Sequence, residues 1–208
     1  MATPSTQDKA DWMPLTAVIL AGGESRRMGR DKALVEFEGK AMWRRQLRLL
    51  QALEPIEILV SGPRRAEFPA TLRSIEDAGP SRGPLAGLAT ALQAAKAGLV
   101  LVVAIDLPLM TTEFLESLRV QSRPGRGVVP FVIEAESGKK FYEPLAAIYP
   151  RECLATAERH LAGTDWSMQS FVRDAVTSGL LVGSEIPPMA RPMFRNMNEP
   201  GDARQRAG

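Results

Sequence analysis

The chain has 208 residues, 45% of them hydrophobic and 24% charged, which is typical of a globular protein long enough to bury a core. A formal net charge of +2 and the lack of a basic-aromatic stripe argue against nucleic-acid and membrane binding. Cys153 is the only cysteine, which excludes an internal disulfide and a multi-cysteine metal site and fits a reducing compartment. We therefore expect a cytoplasmic protein.

The N-terminal residues lack the apolar core of a signal peptide, and we expect residues 1–13 to form a flexible tail. The longest apolar run, at 98–110, meets Asp106 long before it could span a bilayer. No linker divides the remainder of the chain. Residues 14–208 are therefore predicted to form a single domain.

Strand and helix patterns alternate along the first half of the chain. Apolar runs predict strands at 16–22, 56–62, 71–77 and 99–106, with a short strand and turn within 33–40. Leucines and alanines at helical spacing predict helices at 41–53, 83–98 and 111–118. This alternation predicts an α/β fold with a mainly parallel sheet and right-handed crossovers.

The second half is less regular. Residues 127–149 suggest two strands joined by a turn at Ser137-Gly138, and helical stretches follow near 151–162 and 167–175. We expect this half to add strands to the sheet and to form one wall of a cleft.

A short cationic loop, within VILAGGESRRMGRDK at 18–32, follows the first predicted strand. Ligands of open α/β sheets bind at the carboxyl ends of the strands, so the loop lies where a ligand is expected. Gly22 and Gly23 allow backbone amides to approach an anion, and Arg26, Arg27 and Lys32 add positive charge. The loop is neither a Walker loop nor a dinucleotide fingerprint. It nevertheless suits a triphosphate.

The stretch LAGGESRRMGRDK resembles the L-A-G-G-x-S-x-R-M-G-x-D-K signature of the MobA-type nucleotidyltransferases that activate the molybdenum cofactor. Further matches follow in the family's order: IED at 75–77, GPLAG at 83–87, AIDLPL at 104–109, EPLAAIY at 143–149 and NMNEPGD at 196–202. The resemblance implies a Rossmann-like three-layer sandwich, with helices on both faces of the sheet, of the nucleotide-diphospho-sugar transferase type.

The resemblance also implies an activity: GMP passes from GTP to the phosphate of molybdopterin, and pyrophosphate leaves, with Mg²⁺ as cofactor. The implied catalytic residues are Arg27, Lys32 and Asp106. The implied nucleotide-binding residues are Leu20, Ala21, Gly22, Gly23, Arg27, Lys32, Asp77, Gly83, Gly87 and Asp106. Glu143, Asn196 and Asn198 would lie on the acceptor side. Cofactor-handling proteins are expected as further partners, and the protein is expected to be a monomer or weak oligomer.

Asp106 is the predicted metal ligand because it ends the strongest apolar strand, where its carboxylate reaches the cleft, and a hard oxygen ligand suits Mg²⁺. The alternative is that it caps the helix beginning near Thr111. Asp77 could instead start a turn. Asn196 and Asn198 could equally be turn or capping residues. His160, the only histidine, is expected near a helix end.

One departure from the family pattern concerns the second strand. Members often carry an asparagine just after it, where this chain has Ser61-Gly62, with Arg64 and Arg65 nearby as substitutes or as a solvated pair. Three other functions remain open: a CTP-dependent cytidylyltransferase acting on the same cofactor, a sugar-1-phosphate nucleotidyltransferase, and a nucleotide-binding adaptor without turnover. The cytidylyltransferases typically carry L-A-A-G where this chain has Leu20-Ala21-Gly22-Gly23, so the resemblance implies a preference for guanine.

Overall fold

The structure is a computed structural model that describes residues 13–21, 32–76 and 82–196, with the backbone alone for Lys32. The ten strands within these ranges are β1 (Leu15–Leu20), β2 (Glu36–Phe37), β3 (Lys40–Ala41), β4 (Glu57–Ser61), β5 (Arg73–Ile75), β6 (Leu99–Ala104), β7 (Gly127–Ile133), β8 (Lys140–Tyr142), β9 (Ala146–Pro150) and β10 (Leu181–Glu185). The α-helices are α1 (Met42–Gln51), α2 (Pro84–Ala94), α3 (Thr112–Gln121), α4 (Cys153–Ala162) and α5 (Met168–Thr177). Two 3-10 helices span Lys32–Leu34 and Pro188–Phe194.

The main sheet has the strand order β10-β7-β9-β6-β1-β4-β5, with β8 added to β7. β6, β1, β4 and β5 run parallel, as the strand–helix alternation predicts. β9 runs antiparallel to both β6 and β7, and β10 is parallel to β7. The carboxyl ends of β1, β4, β5 and β6 therefore lie on one edge of the sheet, beside the amino end of β9.

Helices cover both faces of the sheet. In β6, alternate residues point to opposite faces: Leu99, Leu101 and Val103 pack with α1 and α3, while Val100 and Val102 pack with α2, α4 and α5. Such a strand is apolar throughout because both of its faces are buried. The predicted three-layer α/β sandwich with a mainly parallel sheet is confirmed.

A polar network closes the amino edge of the sheet. Thr16 Oγ1 donates to Glu57 Oε1 at 2.9 Å and accepts from Ala97 N at 3.1 Å. Glu57 Oε1 also accepts from Lys96 N at 2.6 Å, so the carboxylate and hydroxyl bind the chain as it leaves α2. Since these buried groups bond one another, this edge has a structural role.

The sequence prediction needs three corrections. The strand predicted at 99–106 ends at Ala104, and Asp106 lies in the turn that follows. Residues 127–149 hold three strands rather than two, although the hairpin turn at Ser137-Gly138 is present, with Gly138 at φ 67°. The short edge strand β10 (Leu181–Glu185) was not predicted. Within the described ranges, no helix combines the length and apolar character needed to cross a bilayer.

Candidate active site

The end of β1 is bonded to the ends of both neighbouring parallel strands. Ala21 N donates to Ser61 O of β4 at 3.1 Å, and Ile105 N, just after β6, donates to Leu20 O at 3.1 Å. Parallel strands that finish together place their following loops side by side. Two predicted nucleotide-binding residues, Leu20 and Ala21, are thus brought next to the turn that carries Asp106.

Asp106 is half-buried in that turn, between the buried side chains of Ile105 and Leu107. The helix that follows, α3, has its own cap, because Thr111 Oγ1 accepts from Phe114 N at 3.3 Å. The alternative role of Asp106 as the cap of this helix is therefore wrong. Asp106 lies instead in the turn at the carboxyl end of β6, and its assignment as a metal ligand stays a prediction.

A resident metal cage is not formed by the described residues, since nowhere among them do three or more His, Cys, Asp or Glu side chains come together. Mg²⁺ differs from zinc in needing only one or two protein carboxylates, with substrate phosphates and water completing its shell. A single aspartate at the carboxyl ends of the parallel strands is therefore compatible with Mg²⁺ that arrives bound to a triphosphate.

Gly83 and Gly87 at the start of α2 differ in their surroundings. A Cβ on Gly87 would lie 2.7 Å from Ser61 Oγ and 3.3 Å from Leu20 Cδ2, so this glycine lets the helix pack on the strand ends. Gly83 is exposed at φ 73°, and no described atom lies within 4 Å of a Cβ built there. Gly83 therefore leaves its backbone open towards the described residues, while Gly87 has a packing reason; nucleotide binding by both glycines stays a prediction.

Glu143 lies on the other side of Asp106, in the segment between β8 and β9. Its amide donates to Pro130 O at 2.8 Å, and Leu145 O, two residues later, accepts from Ala104 N at 2.7 Å. The segment therefore joins the end of β6, two residues before Asp106. Burial raises the pKa of Glu143 to about 7 from its ordinary value of 4.5, so the carboxyl is largely protonated in weakly acidic solution.

This raised pKa predicts a pH-dependent stability. Because folded Glu143 holds its proton more tightly than the unfolded chain, stability falls as the pH rises from about 4.5 through about 7. Glu143→Gln should therefore stabilise the protein by about 1–2 kcal/mol at pH 8, after allowance for partial solvation, with little effect at pH 4.5. Chemical denaturation at both pH values measures this.

The control for the loss of one carboxylate is Glu185→Gln, since Glu185 is exposed on β10. Parallel curves for Glu143→Gln and the parent protein at every pH would contradict the prediction.

Asn196 is exposed two residues beyond the 3-10 helix Pro188–Phe194. Phe194 packs edge-on against Phe114 in the first turn of α3, with ring centroids 5.3 Å apart. Because α3 begins just beyond the Asp106 turn, this contact brings the Asn196 segment to the same edge of the sheet as Asp106.

Several predicted site residues lie outside the described residues: Gly22, Gly23, Arg27, Asp77 and Asn198. The backbone of Lys32 begins a 3-10 helix that leads towards α1. Their assignments stay predictions.

Arg64 and Arg65 lie near the position where family members often carry an asparagine, and both donate hydrogen bonds to backbone carbonyls. Arg64 Nη1 donates to Leu72 O at 3.0 Å, and Arg65 Nη1 donates to Pro63 O at 3.2 Å. The Arg65 guanidinium also lies over the Phe68 ring, 5.3 Å from its centroid. These contacts give both side chains a structural role in the segment after β4.

His160 lies in the last turn of α4, near the helix end as expected. Its Nε2 is 2.9 Å from Asp174 Oδ2 of α5, and its Nδ1 is 3.1 Å from Asp165 O. The imidazole thus joins the two helices and the segment between them.

Three further residues were missed from the sequence. Arg82, next to Gly83, donates to Leu161 O at 2.6 Å and lies over the Trp166 ring. Gln46 and Arg45 of α1 bind the turn after Asp106. Of these three, only Gln46 was indicated by the sequence. It lies on the apolar face of α1 between Trp43 and Leu50, where a polar residue needs a buried partner.

Comparison with known proteins begins with a family match: residues 17–177 match the MobA-like NTP transferase domain. A probable molybdenum cofactor guanylyltransferase of Opitutus terrae is 40% identical over 196 residues, covering 90% of this chain and 92% of that protein. A relative with the same description from Deinococcus radiodurans is 31% identical, covering 94% of this chain and 95% of that protein.

Solved structures give the same fold. Molybdopterin-guanine dinucleotide biosynthesis protein A of Archaeoglobus fulgidus is similar with a TM-score of 0.66, 21% identity, and coverage of 91% of this chain and 95% of that one. 2-C-methyl-D-erythritol 4-phosphate cytidylyltransferase of Thermus thermophilus has a TM-score of 0.67 at 17% identity, covering 92% and 96%. The expected nucleotide-diphospho-sugar transferase fold is confirmed. With the family match over residues 17–177 and relatives similar along nearly their whole length, the chain belongs to the MobA-like NTP transferase family.

Proposed function

We propose that this protein is a nucleotidyltransferase that moves GMP from GTP to the phosphate of molybdopterin, forming the guanine dinucleotide and releasing pyrophosphate. The observation that carries the proposal is the similarity to molybdenum cofactor guanylyltransferases over nine-tenths of the chain, at up to 40% identity. The clustering of Leu20, Ala21 and Asp106 at one sheet edge supports a nucleotide site there.

The reaction exchanges one phosphoanhydride bond for another. An oxygen of the molybdopterin phosphate attacks the α-phosphorus of GTP, and the bond from that phosphorus to the oxygen bridging to the β-phosphate breaks. The attacking phosphate is anionic at neutral pH, because its second pKa is about 6, so no general base is required. The main tasks of the protein are to align the two phosphates and to offset their charges.

We assign these tasks to the strand-end loops. The backbone of 20–23 would approach the triphosphate, Arg27 and Lys32 would offset its charge, and Asp106 would hold Mg²⁺. When bound, Mg²⁺ supplies positive charge to the α-phosphate and to the leaving pyrophosphate. Asp77 and Gly83 would contact the nucleotide from the loop that enters α2. The packing of Gly87 on Ser61 and Leu20 supports this arrangement, because it holds α2 against the strand ends.

The acceptor would lie on the β9 side of Asp106. A protonated Glu143 removes one negative charge from the approach of an anionic phosphate, and its raised pKa of about 7 favours that form. Asn196 and Asn198 would add neutral donors on the same side. A single domain over 14–208, a cytoplasmic location, cofactor-handling partners and a monomeric or weakly oligomeric state remain part of the proposal.

The nucleotide preference is tested by incubating the protein with molybdopterin, Mg²⁺ and GTP, CTP or ATP in turn, and identifying any dinucleotide by mass. We expect the guanine dinucleotide with GTP and at least about 10-fold less product with CTP. Such a ratio corresponds to the free energy of about one hydrogen bond between the protein and the base. A larger yield with CTP would identify a cytidylyltransferase. Nucleotide binding without product from any of the three would favour an adaptor.

A further inference from the structure

Two neighbouring side chains of α1 bind the backbone of the turn that carries Asp106. Gln46 Nε2 donates to Leu107 O at 2.8 Å. Arg45 Nε donates to the carbonyl oxygen of Pro108. The two acceptors are the carbonyls of the two residues that directly follow Asp106, so the carboxyl side of the turn is held by one helix.

The amino side of Asp106 is held as well, since Ile105 N donates to Leu20 O at 3.1 Å. Asp106 thus lies between two anchored peptides, one bonded to β1 and one to α1. Groups that orient a ligand residue in this way, without binding the ion themselves, tune affinity for a metal in many proteins. The hydrogen bonds of Gln46 and Arg45 are placed to do this.

Stability alone does not explain the glutamine. Gln46 is fully buried, and its Oε1 has no hydrogen-bond partner within 13–21, 32–76 and 82–196. An unpaired buried oxygen lowers stability. Methionine would fill a similar space without this oxygen, but it would leave Leu107 O without the NH₂ donor. The amide is therefore explained by the hydrogen bond that its NH₂ group donates to Leu107 O.

Arg45 extends the connection towards the cationic loop. Its guanidinium lies 5.1 Å from the centroid of the Phe37 ring and 3.4 Å from Glu38 Oε2, both in the hairpin of β2 and β3. The same hairpin follows the 3-10 helix that begins at Lys32, the predicted phosphate-binding residue. Arg45 therefore links the segment that leaves the cationic loop to the turn that carries Asp106.

We propose that Gln46 and Arg45 are positioning residues that fix the Asp106 turn for binding of a divalent ion with the nucleotide. The inference rests on the proposed function, because it takes Asp106 as the residue that holds the ion. Both side chains act through the backbone of Leu107 and Pro108.

The test measures Mn²⁺ binding by electron paramagnetic resonance, with GTP present and the acceptor left out. Gln46→Met is expected to raise the dissociation constant of Mn²⁺ about 10-fold, the lower end of the range for residues that orient a metal ligand. Arg45→Ala should change it in the same direction. In turnover, both variants should need more Mg²⁺ for half-maximal rate, while the rate at saturating Mg²⁺ changes less.

Two matched controls come from the same helix. Leu50→Ala removes buried side-chain volume from α1 and should lower the thermal unfolding midpoint without changing Mn²⁺ affinity. Arg48→Ala removes an arginine from an exposed position of the same helix, and should leave binding unchanged. Gln46→Met should show the reverse of Leu50→Ala, with weaker Mn²⁺ binding and little change in unfolding midpoint.

Asp106→Asn distinguishes the assignment of the metal ligand from the positioning role of Gln46 and Arg45. If it weakens Mn²⁺ binding while Gln46→Met and Arg45→Ala do not, the positioning role is wrong and the metal assignment stands. If Asp106→Asn leaves Mn²⁺ binding unchanged, the metal assignment fails, and the positioning role fails with it.

Discussion

Asp106→Asn is expected to lower the rate of pyrophosphate release by about 10²–10³-fold, the range found when one electrostatic contact to a transition state is removed. The substitution keeps the shape of the side chain and removes its charge. If that charge holds Mg²⁺, the ion is lost from the point where the α-phosphate and the leaving group need it. GTP should still bind, because Leu20, Ala21 and the cationic loop are untouched.

Steady-state kinetics with molybdopterin and GTP across a range of Mg²⁺ concentrations measure this effect, and nucleotide titration measures the binding that remains. Glu113→Gln is the control, since it removes one charge from the exposed first turn of α3 and leaves the strand end intact. Turnover within about twofold of the parent for Asp106→Asn would rule out the metal assignment, because such a difference is smaller than any contact of this kind supplies.

The sheet was predictable from sequence wherever a strand is buried on both faces. β6 is apolar along its whole length and β1 is interrupted only by Thr16, because helices cover each side of both strands, and such runs stand out in a sequence. β10 (Leu181–Glu185) was missed because it is a half-exposed edge strand with glycine in its middle. A Cβ on Gly183 would lie 2.9 Å from the Phe131 ring of β7, so the reason for this glycine is a partner about fifty residues away.

In the candidate site, too, the sequence predicts some features and not others. The common location of Leu20, Ala21 and Asp106 was predictable because Leu20 ends β1, while Ala21 and Asp106 follow β1 and β6 within two residues. A parallel sheet gathers such positions at one edge. The contacts of Gln46 and Arg45 with the Asp106 turn join residues about sixty positions apart. Their register depends on how α1 packs, and helical periodicity specifies a face without specifying which carbonyl that face will meet.

Gly87 shows that a residue of a binding motif can also have a structural role that the motif does not reveal. The resemblance of the segment GPLAG to the family implied nucleotide binding at both of its glycines. The structure places Ser61 and Leu20 against Gly87, whereas none of the atoms it describes lies within 4 Å of a Cβ built on Gly83. Small residues at a helix start are compatible with ligand contact and with close helix packing, and only the neighbouring strand ends decide between the two.

Gly127→Ala is expected to destabilise the protein more than an alanine at any other described glycine. Gly127 begins β7, and a Cβ on it would overlap Ile148 O of β9 and lie 2.8 Å from Pro150 Cδ. Backbone in the middle of a sheet cannot move aside as a side-chain end can. We expect a loss of about 3–5 kcal/mol in the free energy of unfolding, among the largest effects of point substitutions.

The loss should appear in thermal unfolding as a fall in midpoint of roughly 10 °C or more for a chain of this size. Gly98→Ala is the matched control, because no described atom lies within 4 Å of a Cβ at this exposed position. If Glu143 lies on the acceptor side, as we propose, Gly127→Ala should also lower the affinity for the acceptor more than the affinity for the nucleotide. β7 pairs with β9 and bonds Glu143 N through Pro130 O, whereas Leu20 and Asp106 lie beyond β9. Equal midpoints for Gly127→Ala and Gly98→Ala would mean that β7 and β9 do not approach as closely as the structure has them.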